Sequence, residues 1–335
     1  MSRIAILGCG AWGTALALSL HRRGGHKITL WAHTPELAHE ILAAKENSQF
    51  LPGFPLPDGI IITGDGAAIS DAQIVVSVIP SEFLRPTLLR VRSHLRIGQF
   101  IVSATKGLED QTLYRMTEVL SAALEPVGLL VSIGALSGPS FAQEVAMGQP
   151  TAVTVAFSDP QVASLIRQEF SSEFLRLYTS TDVVGVELGG ALKNVIAIAA
   201  GVAVGTGLGH NSIAALITRG IAEITRLAVA CGARRETLAG LSGIGDLVLT
   251  CTGSLSRNRT VGLALGEGRK LPEALAALGG KVAEGVHTTH VALGLAREHS
   301  IEMPITAQME LIFNKGKDPR EAIRDLMLRP GRDEH

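Results

Sequence analysis

The N-terminal stretch Arg3-Ile4-Ala5-Ile6-Leu7, Gly8-Cys9-Gly10-Ala11-Trp12-Gly13 and Thr14 to His21 reads as strand, glycine-rich turn and helix. A short β-branched run predicts the strand, and the alanine- and leucine-rich segment after it predicts the helix. Between them stands GxGxxG. Its first glycine makes a tight turn, its second lets the backbone approach a pyrophosphate, and its third lets helix and strand pack closely. The phosphates would sit at the helix N-terminus, where unpaired N–H groups and the dipole favour an anion. A lone GxGxxG is weak evidence, but this one follows a strand at the start of the chain, where dinucleotide folds usually begin. Gly8, Gly10 and Gly13 are therefore read as cofactor-binding.

The next strand is expected at Lys27 to Trp31, followed by Ala32-His33-Thr34. A site selective for NAD places Asp or Glu near this point to hold the ribose hydroxyls. No carboxylate stands here to repel a 2′-phosphate, and His33 and Thr34 offer hydrogen bonds, so NADPH is expected to be tolerated or preferred, and the cofactor is read as NADPH or NADH. Ala72 to Ile79 and Gln99 to Ala104 are near-continuous apolar runs, as buried parallel strands require. Leu129 to Leu136, Ala152 to Phe157 and Phe174 to Leu177 read as further strands, with helical segments between several of them. The fold class is thus α/β, a Rossmann-like doubly wound sheet.

Ligands of such sheets bind beyond the carboxyl ends of the strands. The residues there are Pro80-Ser81, Thr105-Lys106-Gly107-Leu108-Glu109 and Ser137-Gly138-Pro139-Ser140-Phe141-Ala142. Lys106 either projects its ammonium into the crevice or is a solvated loop lysine. The Ser137 to Ser140 segment reads as a turn and helix cap whose exposed N–H groups would also suit a substrate oxygen.

From about Asp182 the strand pattern gives way to long helical patterns. The boundary is placed near Thr181, giving a dinucleotide-binding domain at 1–181 and an all-α substrate and catalytic domain at 182–335. Within Val183 to Val204, Lys193 and Asn194 interrupt an apolar helix, where ionisable groups are costly unless paired or functional. Gly189 and Gly190 precede Lys193 on the same face and are expected to leave open space for a small substrate. The alternative is a snorkelling lysine beside glycines that serve helix packing. Further on, Ser256-Arg257-Asn258 offers a planar, permanently charged fork flanked by neutral hydrogen-bonding groups, suited to a phosphate, or else a helix cap with solvated arginines. Asp246, beside Gly245, is expected to be sterically free.

Composition bounds the rest. At about 150 residues per domain, 335 residues suggest two domains. Glycine supplies 37 residues and aromatics only 4%, so elements are expected to pack through small side chains. A hydrophobic content of 46% with a net charge of −1 excludes a disordered chain. Thirty basic against 31 acidic residues leave no excess charge for a general nucleic-acid binder. Cys9, Cys231 and Cys251 fit neither a disulfide framework nor a zinc site, and no histidine spacing suits a metal, so a reducing, cytoplasmic setting without metal is expected. The apolar run Ile4 to Leu20 imitates a signal peptide but contains three glycines, with Arg22 and Arg23 on the wrong flank. Val195 to Gly205, eleven residues, is shorter than the roughly 18 of a membrane span. No membrane insertion is expected, and the charged tail Arg329 to His335 is expected to fray.

Together these stretches closely resemble the bacterial NAD(P)-dependent glycerol-3-phosphate dehydrogenases. The likeness runs through GCGAWGTALA at 8–17, ATKGLE at 104–109, SGPSFAQEV at 137–145, VELGGALKNVIAIAAG at 186–201, GIGDLVLTCTGSLSRNRTVG at 243–262 and KVAEGVHT at 281–288. The resemblance implies a dinucleotide-binding domain followed by an all-helical one, and interconversion of sn-glycerol 3-phosphate and dihydroxyacetone phosphate, supplying phospholipid synthesis. It makes Lys193 the catalytic acid/base and Lys106 a contact to both cofactor and substrate. Gly138, Ser140, Asp246, Ser256, Arg257 and Asn258 become substrate contacts, with Arg257 also near the cofactor. Trp12, Ala142, Val282 and Glu284 become cofactor contacts, as does His33, where the family often has Arg. A homodimer is also implied. Partial burial and the second ammonium of Lys106 should depress the Lys193 pKa from about 10.4 towards neutrality. Two other readings stay open: a related dehydrogenase acting on a hydroxy acid or acyl-CoA, and an NADPH-sensing module without catalysis.

Overall fold

Up to Ser180, apolar β-branched runs alternate with capped helices, and this alternation builds a layered sheet. The computed structural model describes residues 1–280, 282–331 and 333. Its strands are β1 (Ser2–Leu7), β2 (His26–Trp31), β3 (Ile60–Thr63), β4 (Ile74–Ser77), β5 (Phe100–Ser103), β6 (Ser132–Ser137), β7 (Thr151–Phe157) and β8 (Leu175–Ser180). They form one sheet in the order β3-β2-β1-β4-β5-β6-β7-β8. The pairs from β3 through β6 are parallel, β7 runs antiparallel to β6, and β8 is parallel to β7. The chain reverses direction across the sheet between β1 and β4, which is the crevice where such sheets bind ligands.

One strand escaped the sequence reading. Ile60-Ile61-Ile62-Thr63 is too short to reveal a period, and only its parallel register on β2, Ile28 opposite Ile60 through Trp31 opposite Thr63, makes it a strand. The expected strands at 72–79 and 99–104 contract to four residues each, because their ends turn into the loops that carry Ser81 and Lys106.

The helices about the sheet are α1 (Ala11–Arg23), α2 (Pro35–Ala44), α3 (Ser81–Val91), α4 (Met116–Leu124), α5 (Ala142–Met147) and α6 (Pro160–Phe170). Sequence period explains why both sheet faces are covered: along β1, Ile4 and Ile6 enter one apolar cluster with Leu16 and Leu20, while Ala5 and Leu7 enter another with Leu84 and Leu88. Beyond Ser180 come α7 (Val183–Gly205), α8 (His210–Ala230), α9 (Arg235–Leu238), α10 (Asp246–Thr252), α11 (Arg257–Gly266), α12 (Leu271–Ala276), α13 (Glu284–Glu298), α14 (Pro304–Lys315) and α15 (Pro319–Met327).

Helix α7 is the axis of this second layer. Asp182 caps it by accepting the Gly185 N–H at 2.9 Å. It is buried from Gly185 through Ala203, and α11 lies against it where Gly201 and Gly262 leave no room for a Cβ on either side. The abundance of glycine serves this close packing. The eleven-residue estimate for the apolar segment needs correction: α7 has 23 residues and a mean hydropathy of 1.6, long and apolar enough to cross a membrane, but 89% of its most apolar window is buried inside the protein. Lys193, Asn194 and Glu187, which interrupt the apolar pattern, are absorbed because each finds polar partners. Lys281, which opens the KVAEGVHT motif, lies outside the described residues, as do Arg332, Glu334 and His335 of the tail. Within the described part of the tail, Arg329 donates to Glu302 at 3.0 Å.

Candidate active site

The glycine turn after β1 is shaped for a dinucleotide. Gly8 adopts φ +115°, donates its N–H to the Trp31 carbonyl at 3.1 Å, and would place a Cβ 2.9 Å from the Val78 oxygen. A side chain at Gly13 would overlap the Gly8 carbonyl, so the third glycine lets α1 rest on the turn. At Gly10 nothing lies within 4 Å of the Cβ position, and Gly10 caps α1 without a side-chain hydrogen bond. The first N–H groups of α1 therefore face a cradle that a side chain would fill, which fits a pyrophosphate. Trp12 and Ala142 are half-buried at its edge, packed on the same apolar cluster. Their helices, α1 and α5, are joined by Arg22, whose Nη2 donates to the Ala146 carbonyl at 2.6 Å.

Across the crevice, two lysines meet on one carboxylate. Lys106, at the exit of β5, donates to Asp246 Oδ2 at 2.8 Å and to the Gly138 carbonyl at 3.0 Å. Lys193, on α7, donates to Asp246 Oδ1 and to Thr250 Oγ1, the latter at 2.9 Å. Asp246 is 1% exposed and Lys193 5%. Burial pushes the Asp246 carboxyl up, but the two ammoniums outweigh it and hold the group below its ordinary range. Burial is the main cause that brings Lys193 down to about 8; Asp246 opposes the shift and Lys106 adds to it.

Around this trio runs an amide chain. Asn194 Nδ2 donates to the Lys106 carbonyl at 3.4 Å, Asn258 Nδ2 to Asn194 Oδ1 at 3.0 Å, and the Gly285 N–H to Asn258 Oδ1 at 3.0 Å. It links the sheet, α7, α11 and α13. Ser256 caps α11, receiving the Arg259 N–H at 3.2 Å. Arg257 begins that helix, exposed, with no ion pair among the described residues. Glu284 opens α13 beside the half-buried Val282 and receives the Ser81 N–H at the start of α3. Burial pushes Glu284 up to about 7, against the pull of Arg257.

Several expectations change. Gly189 and Gly190 do not leave open space: a Cβ on Gly189 would reach the Ser242 carbonyl at 2.5 Å, and one on Gly190 would overlap Ser137 Oγ. They let the turn before α10 and the end of β6 close on α7, which is how Asp246 reaches Lys193. Asp246 is accordingly buried rather than sterically free. Gly138 contributes a carbonyl, accepting from Lys106 and, at 2.9 Å, from Ser140 Oγ, where N–H groups were expected. Ser256 and Asn258 are engaged in capping and in the amide chain, so Arg257 is the member of that triplet whose donors face solvent. His33 is exposed just beyond the end of β2. Thr250 was not anticipated; its spacing of four from Asp246 on α10 is the signal that would have revealed it.

A dinucleotide turn at the switch point of a doubly wound sheet, faced by a buried lysine from a helical layer, defines the class of two-domain nicotinamide-dependent oxidoreductases. Residues 3–163 match the family model described as the N-terminus of NAD-dependent glycerol-3-phosphate dehydrogenase, and residues 182–324 match its C-terminus. The chain belongs to that family. It is 57% identical to the glycerol-3-phosphate dehydrogenase [NAD(P)+] of Acidobacterium capsulatum, over 100% of both chains, and 56% identical to that of Koribacter versatilis, over 98% of each. Among solved structures it resembles glycerol-3-phosphate dehydrogenase from Coxiella burnetii at 40% identity and a TM-score of 0.93, covering 98% of this chain and 99% of the other.

Proposed function

We propose that this oxidoreductase interconverts sn-glycerol 3-phosphate and dihydroxyacetone phosphate at the Lys106–Asp246–Lys193 cluster, using NADPH or NADH. The observation that carries the reading is the buried Asp246 holding two ammoniums, one from α7 and one from the exit of β5. In this reading residues 1–181 hold the cofactor and 182–335 supply the acid/base. The names of the curated relatives support the substrate pair.

Bound nicotinamide supplies or accepts the hydride at C2 of the substrate. Lys193, brought to about 8, exchanges a proton near neutral pH, donating to the C2 oxygen in reduction and accepting from it in oxidation. Lys106 is fixed by Asp246 and the Gly138 carbonyl, and its charge stabilises the developing alkoxide. Asp246 holds both ammoniums in one place, offsetting their repulsion and the cost of their burial. Arg257 receives the substrate phosphate with a planar fork and so orients C2. Ser140, engaged on the Gly138 carbonyl, and Asn258 line the approach. Trp12, Ala142, Val282 and Glu284 complete this reading as cofactor contacts. The reading extends to a cytoplasmic homodimer that supplies glycerol 3-phosphate to phospholipid synthesis, and the three free cysteines are compatible with a reducing compartment.

The test is the loss of reduced-nicotinamide absorbance when purified protein meets dihydroxyacetone phosphate, with NADPH and NADH in parallel. Substrate-dependent oxidation is expected. Binding of cofactor without oxidation by this substrate would overturn the reading.

A further inference from the structure

The end of β2 carries no carboxylate for ribose hydroxyls, yet it does carry a cation, brought from elsewhere in the chain. Arg90, on the last turn of α3, lays its guanidinium over the Trp31 ring at 5.4 Å from the centroid. Its Nη2 donates to the His33 carbonyl at 3.0 Å. Among the described residues no carboxylate pairs with it. A guanidinium has five N–H donors, so this bond leaves most of its hydrogen-bonding capacity open to a ligand.

The surroundings define a site. Arg90, Trp31, His33, Gly64 and His94 line a cavity of about 220 Å³, open to solvent and without an acidic side chain in its wall. The nearby Asp65 turns its carboxylate onto the Ala67 N–H at 2.9 Å, and Glu36 lies in the first turn of α2. The cavity adjoins the dinucleotide turn: the Trp31 carbonyl receives the Gly8 N–H at 3.1 Å, and Leu7 and Trp31 are partners in the sheet. A dinucleotide whose pyrophosphate lies on the α1 N-terminus extends its adenosine ribose to the end of β2.

We propose that Arg90 reads the 2′-phosphate of NADPH, with the Trp31 ring holding the guanidinium in position, and that this makes the enzyme prefer NADPH over NADH. The inference rests on the dinucleotide reading of the Gly8 to Gly13 turn given above. It assigns to a residue of α3 the role that the end of β2 leaves unfilled. A guanidinium suits a phosphate monoester because its N–H fork matches two phosphate oxygens, whereas a ribose hydroxyl engages it weakly.

The test is equilibrium binding, read by nicotinamide fluorescence, of NADPH and NADH to the wild-type protein and to Arg90→Ala and Arg90→Lys. The wild type should bind NADPH about tenfold or more tightly than NADH, as expected for a charge-assisted phosphate contact. In Arg90→Ala that ratio should fall about tenfold, and Arg90→Lys should recover part of it as a point charge without the fork. Raising salt should erode the wild-type ratio and leave that of Arg90→Ala nearly flat. A wild type without preference, or an alanine variant with an unchanged ratio, would overturn the assignment while leaving the dehydrogenase reading intact. Failure of the wild type to bind either nucleotide would defeat both.

Discussion

Asp246 and Glu223 are equally buried, each 1% exposed, yet their carboxyl groups shift in opposite directions. Burial pushes Glu223 up, and its hydrogen-bond donors are neutral: the Ile305 and Thr306 N–H groups at 2.9 Å and Thr306 Oγ1 at 2.7 Å, while the charge of Arg226 pulls the other way without reversing the shift. It caps α14 and holds two helices together. Burial also pushes Asp246 up, but Lys106 and Lys193 reverse the result. The same cost of desolvation is met in one place by backbone dipoles and in the other by mobile protons. Only the second arrangement gathers titratable ammonium groups on the carboxylate, as the proposed proton exchange with a substrate requires.

The strongest test of that contrast is Lys193→Ala. Turnover should fall by about a thousandfold, within the usual range of general acid–base catalysis, while nicotinamide fluorescence still reports cofactor binding. Near-normal turnover would remove Lys193 from the mechanism.

Next is Asp246→Asn. Turnover should drop by about a hundredfold as both lysines lose their anchor. The pH profile should move as well. With Lys193 as the proposed acid/base, reduction of dihydroxyacetone phosphate by the wild type should slow as pH rises through about 8, and oxidation of glycerol 3-phosphate should quicken through the same pH. Because Asp246 raises the Lys193 pKa, its neutralisation should shift both limbs to lower pH. An unmoved limb would mean that another group titrates.

Arg257→Ala should act on binding more than on chemistry. The KM for dihydroxyacetone phosphate should rise by about tenfold to a hundredfold, the scale of one hydrogen bond to a charged group, with a smaller change in kcat. An unchanged KM would place the phosphate elsewhere.

The smallest effect on activity belongs to the other carboxyl group. Glu223→Gln brings an amide donor against N–H groups that need an acceptor, and denaturant titration should show a loss of about 1–3 kcal/mol in stability with kcat unchanged. A fall in kcat without loss of stability would undo the contrast between the two sites.

Much of this molecule was legible from local pattern. The run Arg3 to Leu7 with its three glycines demands one backbone path, since the φ of Gly8 and the packing at Gly13 admit no side chain. The apolar strands at β4 and β5 announce a sheet covered on both faces. The polar pair Lys193-Asn194 in an apolar helix marked itself as unusual, because buried charge is costly without a partner. The partner was not legible. Asp246 lies 53 residues from Lys193 and 140 from Lys106, and no period relates them. Nor did Gly189 and Gly190 say whether they opened space or closed it, since an absent side chain leaves both outcomes available until the neighbour is placed. Arg90 gave no signal at all, for its meaning depends on Trp31 and His33 from another element.

By itself, then, the order of residues determined the dinucleotide turn, the change from sheet to helices, and which polar groups required an explanation, because these depend on backbone sterics, side-chain period and the cost of burial. Tertiary structure alone decided which groups meet and in which direction they titrate. Coulombic attraction and hydrogen bonding depend on separations of a few ångströms, and those separations are set by how α7, α10 and the exit of β5 pack together.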